Sequence, residues 1–143
     1  MHIFFIVGKD RKKGGVLMRF YHCEQCGNMA VMLHDVGVKL CCCHREMREL
    51  KARFSTDKCG HEVMIEMDGE NLHVLIGKKL HPMDMEHRIE WIIVKTDKGF
   101  LTHYLKPSEP PETAFLIHSN SIAQKVYCWC SKDGLWERDV TIS

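Results

Sequence analysis

Eight cysteines and ten histidines in 143 residues are the side chains here whose types and spacing suit chemistry. Cys23-Glu24-Gln25-Cys26 is a C-x2-C pair, and after fifteen further residues comes the adjacent pair Cys42-Cys43. Four thiolates in two close pairs match a tetrahedral sulfur site, the geometry that selects zinc or iron. Gly27, directly after the first pair, lets the backbone turn so that both sulfurs face one ion. Disulfides explain the pattern less well, because a bridge between the adjacent Cys42 and Cys43 is strained. Cys41 makes the run a triplet and leaves Cys41/Cys43 as an alternative pair. Spacing alone leaves zinc against iron open, since zinc ribbons usually close with a second C-x2-C.

A second constellation is His81-x5-His87 around Pro82, a loop entering a strand that can fold two imidazoles towards one point. Imidazole is the commonest metal ligand at neutral pH. His73 and His103 fall within expected strands and read as strand side chains, while His22, His34, His44 and His118 lack a second anchor.

The elements that must position these groups are strands. Short β-branched and aromatic runs alternate with turn signals: Val63–Met67, Leu72–Ile76, Arg88–Thr96, Phe100–Leu105, Phe115–His118 and Ala123–Trp129, with turns at Asp68-Gly69 and Asp97-Lys98-Gly99. That pattern predicts an antiparallel sandwich or barrel. Pro107, Pro110 and Pro111 mark a long loop, and no stretch has helical periodicity. Residues 19–50 hold five cysteines and too few large apolar side chains for a self-sufficient core, so they need a staple. Residues 51–58 are polar and read as a linker.

A formal charge of +1 argues against a dedicated nucleic-acid binder. No run approaches the roughly 18 apolar residues of a membrane span. The apolar start Ile3–Val7 is followed by charges instead of a cleavage site, so it is no secretory signal, and a reducing cytoplasm is expected. Lys13-Gly14-Gly15 is what a purine-rich ribosome-binding sequence yields when translated, shortly before Met18. Residues 1–17 are therefore expected to precede the natural start. Without Lys9, Arg11, Lys12, Lys13 and Asp10 the charge balance turns slightly negative.

The run YHCEQCGNMAVMLHDVGVKLCCCHREM resembles the N-terminal module of desulfoferrodoxin, with its C-x2-C-G-N and adjacent Cys-Cys. His61-Glu-Val-Met-Ile, then Leu80-His81-Pro-Met-Asp-Met-Glu-His87-Arg-Ile-Glu-Trp91, then Leu105-Lys106-Pro107 resemble the superoxide reductase domain of that family. The resemblance runs from about Arg19 to Trp136. It implies an all-β chain: a rubredoxin-like (desulforedoxin-like) module over 18–54, then an immunoglobulin-like antiparallel β-sandwich over 55–143. It further implies an FeCys4 centre on Cys23, Cys26, Cys42 and Cys43, with Cys41 where the family has an apolar residue. At the second site it implies a ferrous ion on His61, His81, His87 and an axial cysteine, with one position left open for superoxide. The activity implied is one-electron reduction of superoxide to hydrogen peroxide in an anaerobe's defence against oxidative stress. Electrons would come from a rubredoxin-like or other donor protein, and a homodimer is compatible.

Two departures from the family pattern bear on the second site. The family's closing C-N-x-H-G-x-W is here Cys128-Trp129-Cys130-Ser131-Lys132-Asp133-Gly134-Leu135-Trp136. Counting forward makes Cys128 the axial ligand; counting back from Gly134 makes it Cys130. Cys128 is preferred, on the argument that loops absorb insertions more readily than strands absorb shifts. The fourth histidine is absent, its place taken by Ser131 on the first count and Asp133 on the second. Asp133 or Cys130 is the expected substitute, and added thiolate would favour zinc. The Glu-Lys that usually precedes the first histidine is replaced by Cys59-Gly60. Two other readings therefore stand beside the superoxide reductase: an FeCys4 electron-transfer protein with an altered second site, and a zinc-ribbon binding module with a β-sandwich partner.

Overall fold

The structure is a computed structural model that describes residues 17–56 and 59–141. The expectation about residues 1–17 therefore lies, Leu17 apart, outside the described residues. Among the described residues every element is a strand, and no helix is long and apolar enough to cross a membrane. Two compact units meet in sequence at Lys51/Ala52.

The first unit contains β1 (Phe20–His22), β2 (Met29–Val31), β3 (Cys41–Cys42), β4 (Arg45–Glu46) and β5 (Arg48–Glu49). β1 lies between β2 and β5 in an antiparallel sheet, and β3 and β4 form a separate hairpin. Among its described residues the buried side chains are Phe20, Tyr21, Cys23 and Met47, with Ala30, Met32, Leu40, Cys42 and Cys43 packed against the last three. Three of those residues are cysteines of the expected site, so the core and the sulfur cluster are the same object. An apolar nucleus this small gains little from burial alone. The β3–β4 turn is Cys43-His44, both in the left-handed region at φ 52° and 60°. Two such residues in succession make a tight hairpin that matches the twist of the strands. There it bends Cys43 back beside Cys42.

The second unit contains β6 (Arg53–Phe54), β7 (Val63–Asp68), β8 (Asn71–Ile76), β9 (Ile89–Thr96), β10 (Phe100–Tyr104), β11 (Glu112–Leu116), β12 (Ala123–Cys130) and β13 (Gly134–Asp139). A five-stranded sheet, β10-β9-β12-β13-β6, faces a three-stranded one, β11-β8-β7. Alternation directs Leu72, Val74 and Ile76 of β8 inward from one sheet, and Ile92, Val94, Val126 and Cys128 inward from the other. The all-β class and the module-plus-sandwich plan match the expectation. The stretch expected as a linker departs from it: Arg53–Phe54 pairs in parallel with β13, placing the division slightly ahead of residue 54. β13 was not anticipated. It follows β12 through the three-residue turn Ser131-Lys132-Asp133 and begins at Gly134, whose φ of 92° needs a glycine.

The β12–β9 register shifts between Trp129 and Cys130: Trp129 faces Trp91, yet Cys130 faces Ile89. The unmatched residue Glu90 is a bulge. It lets Ile89 and Ile92, an odd number of residues apart, both enter the core.

The turn leading out of β8 requires Gly77. Its φ is 89°, and a Cβ there would stand 2.6 Å from the Lys79 carbonyl oxygen and 2.8 Å from the His81 nitrogen. Gly77→Ala is expected to destabilise the sandwich by about 2 kcal/mol or more. Chemical denaturation followed by tryptophan fluorescence measures this; unchanged stability would show that the turn adapts.

Candidate metal centres

Two groups of side chains in the described residues bring ligand atoms within 4.8 Å of one another: Cys23, Cys26, Cys42 and Cys43, and His61, His81, His87, Cys130 and Asp133. Every cysteine is free of disulfide bonding.

In the first unit, β1 delivers Cys23 and the turn after it delivers Cys26, while the β3–β4 hairpin delivers Cys42 and Cys43. Cys26 Sγ lies 3.6 Å from Cys42 Sγ, and Cys42 Sγ 4.0 Å from Cys43 Sγ. The Asn28 backbone N–H donates to Cys26 Sγ and its side-chain amide to Cys42 Sγ, each at 3.5 Å. The backbone N–H of Cys26 lowers the Cys23 thiol to about 7. Crowding against the other sulfurs, Cys26 first, pushes Cys43 up to about 12. The first negative charge thus forms readily and the later ones resist, a donor set that a cation suits. Cys41 is exposed and outside the group, so the alternative pairing with Cys43 is not the one the fold assembles.

In the second unit, His61 precedes β7, His81 follows the Gly77 turn, His87 precedes β9, and Cys130 ends β12. His61 and His81 are buried. The Nδ1–H of His81 donates to the Pro82 carbonyl at 2.8 Å, and that of His61 to the Cys59 carbonyl at 3.1 Å. These bonds leave each Nε2 as a lone pair aimed at the cluster. Burial lowers the His81 pKa, which keeps it neutral. His61 stacks on Trp136 at 4.3 Å and 7°, and the Arg53 guanidinium covers the other face of Trp136 at 4.7 Å. Arg53 also donates to the Asp133 carbonyl. Ser131 stitches the His87 segment to the β12–β13 turn. Its Oγ accepts from the Arg88 N–H at 3.0 Å and donates to the Glu86 carbonyl at 3.1 Å.

The geometry reverses the preference for Cys128. Cys128 is fully buried among Ile92, Val126 and their neighbours, and burial pushes its thiol pKa up. Cys130 Sγ instead stands 3.5 Å from His81 Nε2. A two-residue shift preserves strand parity, so both sulfurs point inward and only depth distinguishes them. There is no insertion in the loop, because β12 continues to Cys130 and turns at once. Ser131 lies outside the cluster, and Asp133 is a member of it. Its Oδ2 lies 3.2 Å from His61 Nε2, 3.3 Å from His87 Nε2 and 3.7 Å from Cys130 Sγ. Burial opposes its ionisation, but His61, Cys130 and His87 outweigh that and hold it below the usual carboxylate range.

The residues present fit a metal ion. His61 Nε2 and His87 Nε2 are fully buried without a hydrogen bond, although Asp133 is close to both. Buried polar atoms are normally paired, and two left unpaired and converging on a thiol and a carboxylate are arranged as ligands. Sequence reasoning missed Glu62, Trp136 and Arg53, which hold the histidines and the turn. Nothing in their spacing signals that role.

An all-β chain with a four-thiol cluster and a three-histidine, one-thiol cluster defines a class of two-centre metalloprotein. The family model for desulfoferrodoxin matches residues 52–139. A desulfoferrodoxin homologue of Archaeoglobus fulgidus is 32% identical over 85% of this chain and 96% of its own length. The desulfoferrodoxin of Nitratidesulfovibrio vulgaris is 33% identical over 83% and 94%. The superoxide reductase from Treponema pallidum shares the fold, with a TM-score of 0.75 at 24% identity over 85% of this chain and 98% of that one. The chain belongs to the desulfoferrodoxin family.

Cys130→Ser is expected to lower the metal bound at the second site by at least about tenfold in affinity, while Cys128→Ser keeps the metal and loses stability. Metal analysis with thermal melting separates the two, and metal loss only in Cys128→Ser would reinstate the first count. Chelation of the first centre is expected to unfold residues 17–51 while the sandwich keeps its own transition. Loss of hydrogen-exchange protection confined to those residues would show it.

Proposed function

We propose that the chain is a superoxide reductase that converts superoxide to hydrogen peroxide at an iron site held by His61, His81, His87 and Cys130, with Asp133 completing the set. The observation that carries this is the convergence of three imidazoles and one thiol in a member of this family. When bound, a ferrous ion there supplies one electron, which with two protons from solvent turns superoxide into hydrogen peroxide and leaves the ion ferric. Burial pushes the Cys130 thiol up and the backbone N–H groups of Lys132 and Asp133 oppose that shift, so a bound cation would be what favours its thiolate. Thiolate ligation raises electron density at the ion. His61 and His81 form the buried side of the site. His87 and Asp133 form the accessible side, Asp133 with 38% of its side chain exposed. A small anion reaches the ligands from there. Cys23, Cys26, Cys42 and Cys43 are proposed to hold an FeCys4 centre that takes electrons from a donor protein in a reducing cytoplasm.

The electron-transfer reading is favoured by one feature, the carboxylate of Asp133 where a neutral imidazole is expected, since it repels an approaching anion. Stopped-flow mixing of the reduced, iron-loaded protein with superoxide decides between them. Superoxide-dependent oxidation of the second-site absorbance supports the reductase. Its absence leaves electron transfer, and protein that carries zinc without iron leaves the binding module. Asp133→His is expected to speed the oxidation roughly threefold to tenfold at low ionic strength, with the gain shrinking as salt is added.

A further inference from the structure

We propose that Glu62 is a positioning residue whose carboxylate clamps the His61-bearing and His81-bearing segments together and thereby sets the metal affinity of the second site. The inference rests on reading His61, His81, His87 and Cys130 as ligands.

Glu62 is only 5% exposed, and its partners come from both sides of the site. One carboxylate oxygen accepts the backbone N–H of Gly60, the residue before His61. The other accepts the backbone N–H of Lys78 at 2.9 Å. The Glu62 carbonyl accepts the N–H of Gly77 at 2.8 Å. Gly77 and Lys78 form the turn that delivers His81, whose own N–H returns to the Ile76 carbonyl at 3.2 Å. Two of these hydrogen bonds, from Gly77 and Lys78, therefore tie two histidine segments that are well separated in sequence, and the third holds Gly60 next to His61. Ser55 closes the frame from β6: its Oγ donates to the His61 carbonyl at 3.0 Å and accepts the Val63 N–H at 2.8 Å.

A buried carboxylate is costly to keep without partners. Here the hydrogen-bond donors are backbone groups of the loops themselves, so the carboxylate is stable only while both loops hold their places. His61 and His81, with ring centroids 4.7 Å apart, are thereby set before any ion arrives. Partners of this kind behind the ligands typically change metal affinity by 10–100-fold.

The test is cobalt titration of the metal-free full chain, wild type against Glu62→Gln and Glu62→Ala, with the four-thiol site as internal control. Glutamine keeps one acceptor oxygen and puts an amide NH2 where the second must accept, so a graded loss is expected. Cobalt affinity at the second site should fall roughly tenfold in Glu62→Gln and roughly a hundredfold in Glu62→Ala, with the first site unchanged. Thermal melting of the metal-free proteins should show the sandwich still folded in Glu62→Gln. Wild-type second-site affinity in both variants overturns the proposal. So does equal weakening at both sites, or a Glu62→Gln sandwich that no longer folds, because each reduces Glu62 to a general stabiliser. A wild type that takes up cobalt only at the thiol site overturns the ligand reading, and the proposal with it.

Discussion

Three imidazole lone pairs, a thiol and a carboxylate oxygen face one another across less than 5 Å at one end of the sandwich. Electron-rich atoms do not gather unaided. Each would rather turn to water or to a donor, and two of the imidazole nitrogens have no hydrogen bond at all. The surrounding structure has to hold these groups against that tendency. The Nδ1 atoms of His61 and His81 are tied to carbonyls, and the His61 ring is stacked on Trp136. The β9 bulge and the Ser131 bridge fix Cys130 and the His87 segment relative to each other. The rigid part of this scaffold is β12, which runs through the middle of the larger sheet between β9 and β13. The histidines sit on loops, and these are the segments that carry the extra hydrogen bonds.

The four-thiol cluster meets the same difficulty differently. It has hardly any apolar core to brace it, because Tyr21 and Met47 are its chief neighbours and Cys23 is itself part of that core. Amide donors share the charge of the first thiolate, and the left-handed hairpin at Cys43-His44 gathers the second pair. What remains is repulsion among sulfurs that only a cation relieves. In this unit an ion would supply what the apolar core lacks, whereas the sandwich has a core of its own.

The thiol cluster was readable because its ligands are local in sequence and their spacing is itself the geometry. The strands were readable from alternation, and β9 in particular from its β-branched run. The choice between Cys128 and Cys130 was not readable. Residues two apart on a strand share a face, and depth along that face depends on a bulge and a turn that leave no clear mark in sequence. β13 escaped for a related reason: its Gly134 start looks like an ordinary loop residue until the three-residue turn before it is seen. Glu62 looked like one charge among many, and its role exists only once two distant loops meet around it.

Asp133 is where the sequence and structure together say most about function. A neutral imidazole at that place would leave Cys130 as the only anionic member of the proposed ligand set. A carboxylate adds a second negative charge, which holds an oxidised, more highly charged ion better and makes the site less attractive to an incoming anion. Arg53 donates to the Asp133 carbonyl and lies over Trp136, bringing a guanidinium to the far side of the His61 stack. A cation in that place steadies the turn through the Asp133 backbone carbonyl, while the groups that hold the carboxylate ionised are His61, Cys130 and His87. The carboxylate therefore favours keeping a cation bound over drawing an anion in, with the three imidazoles and the thiol still gathered beside it.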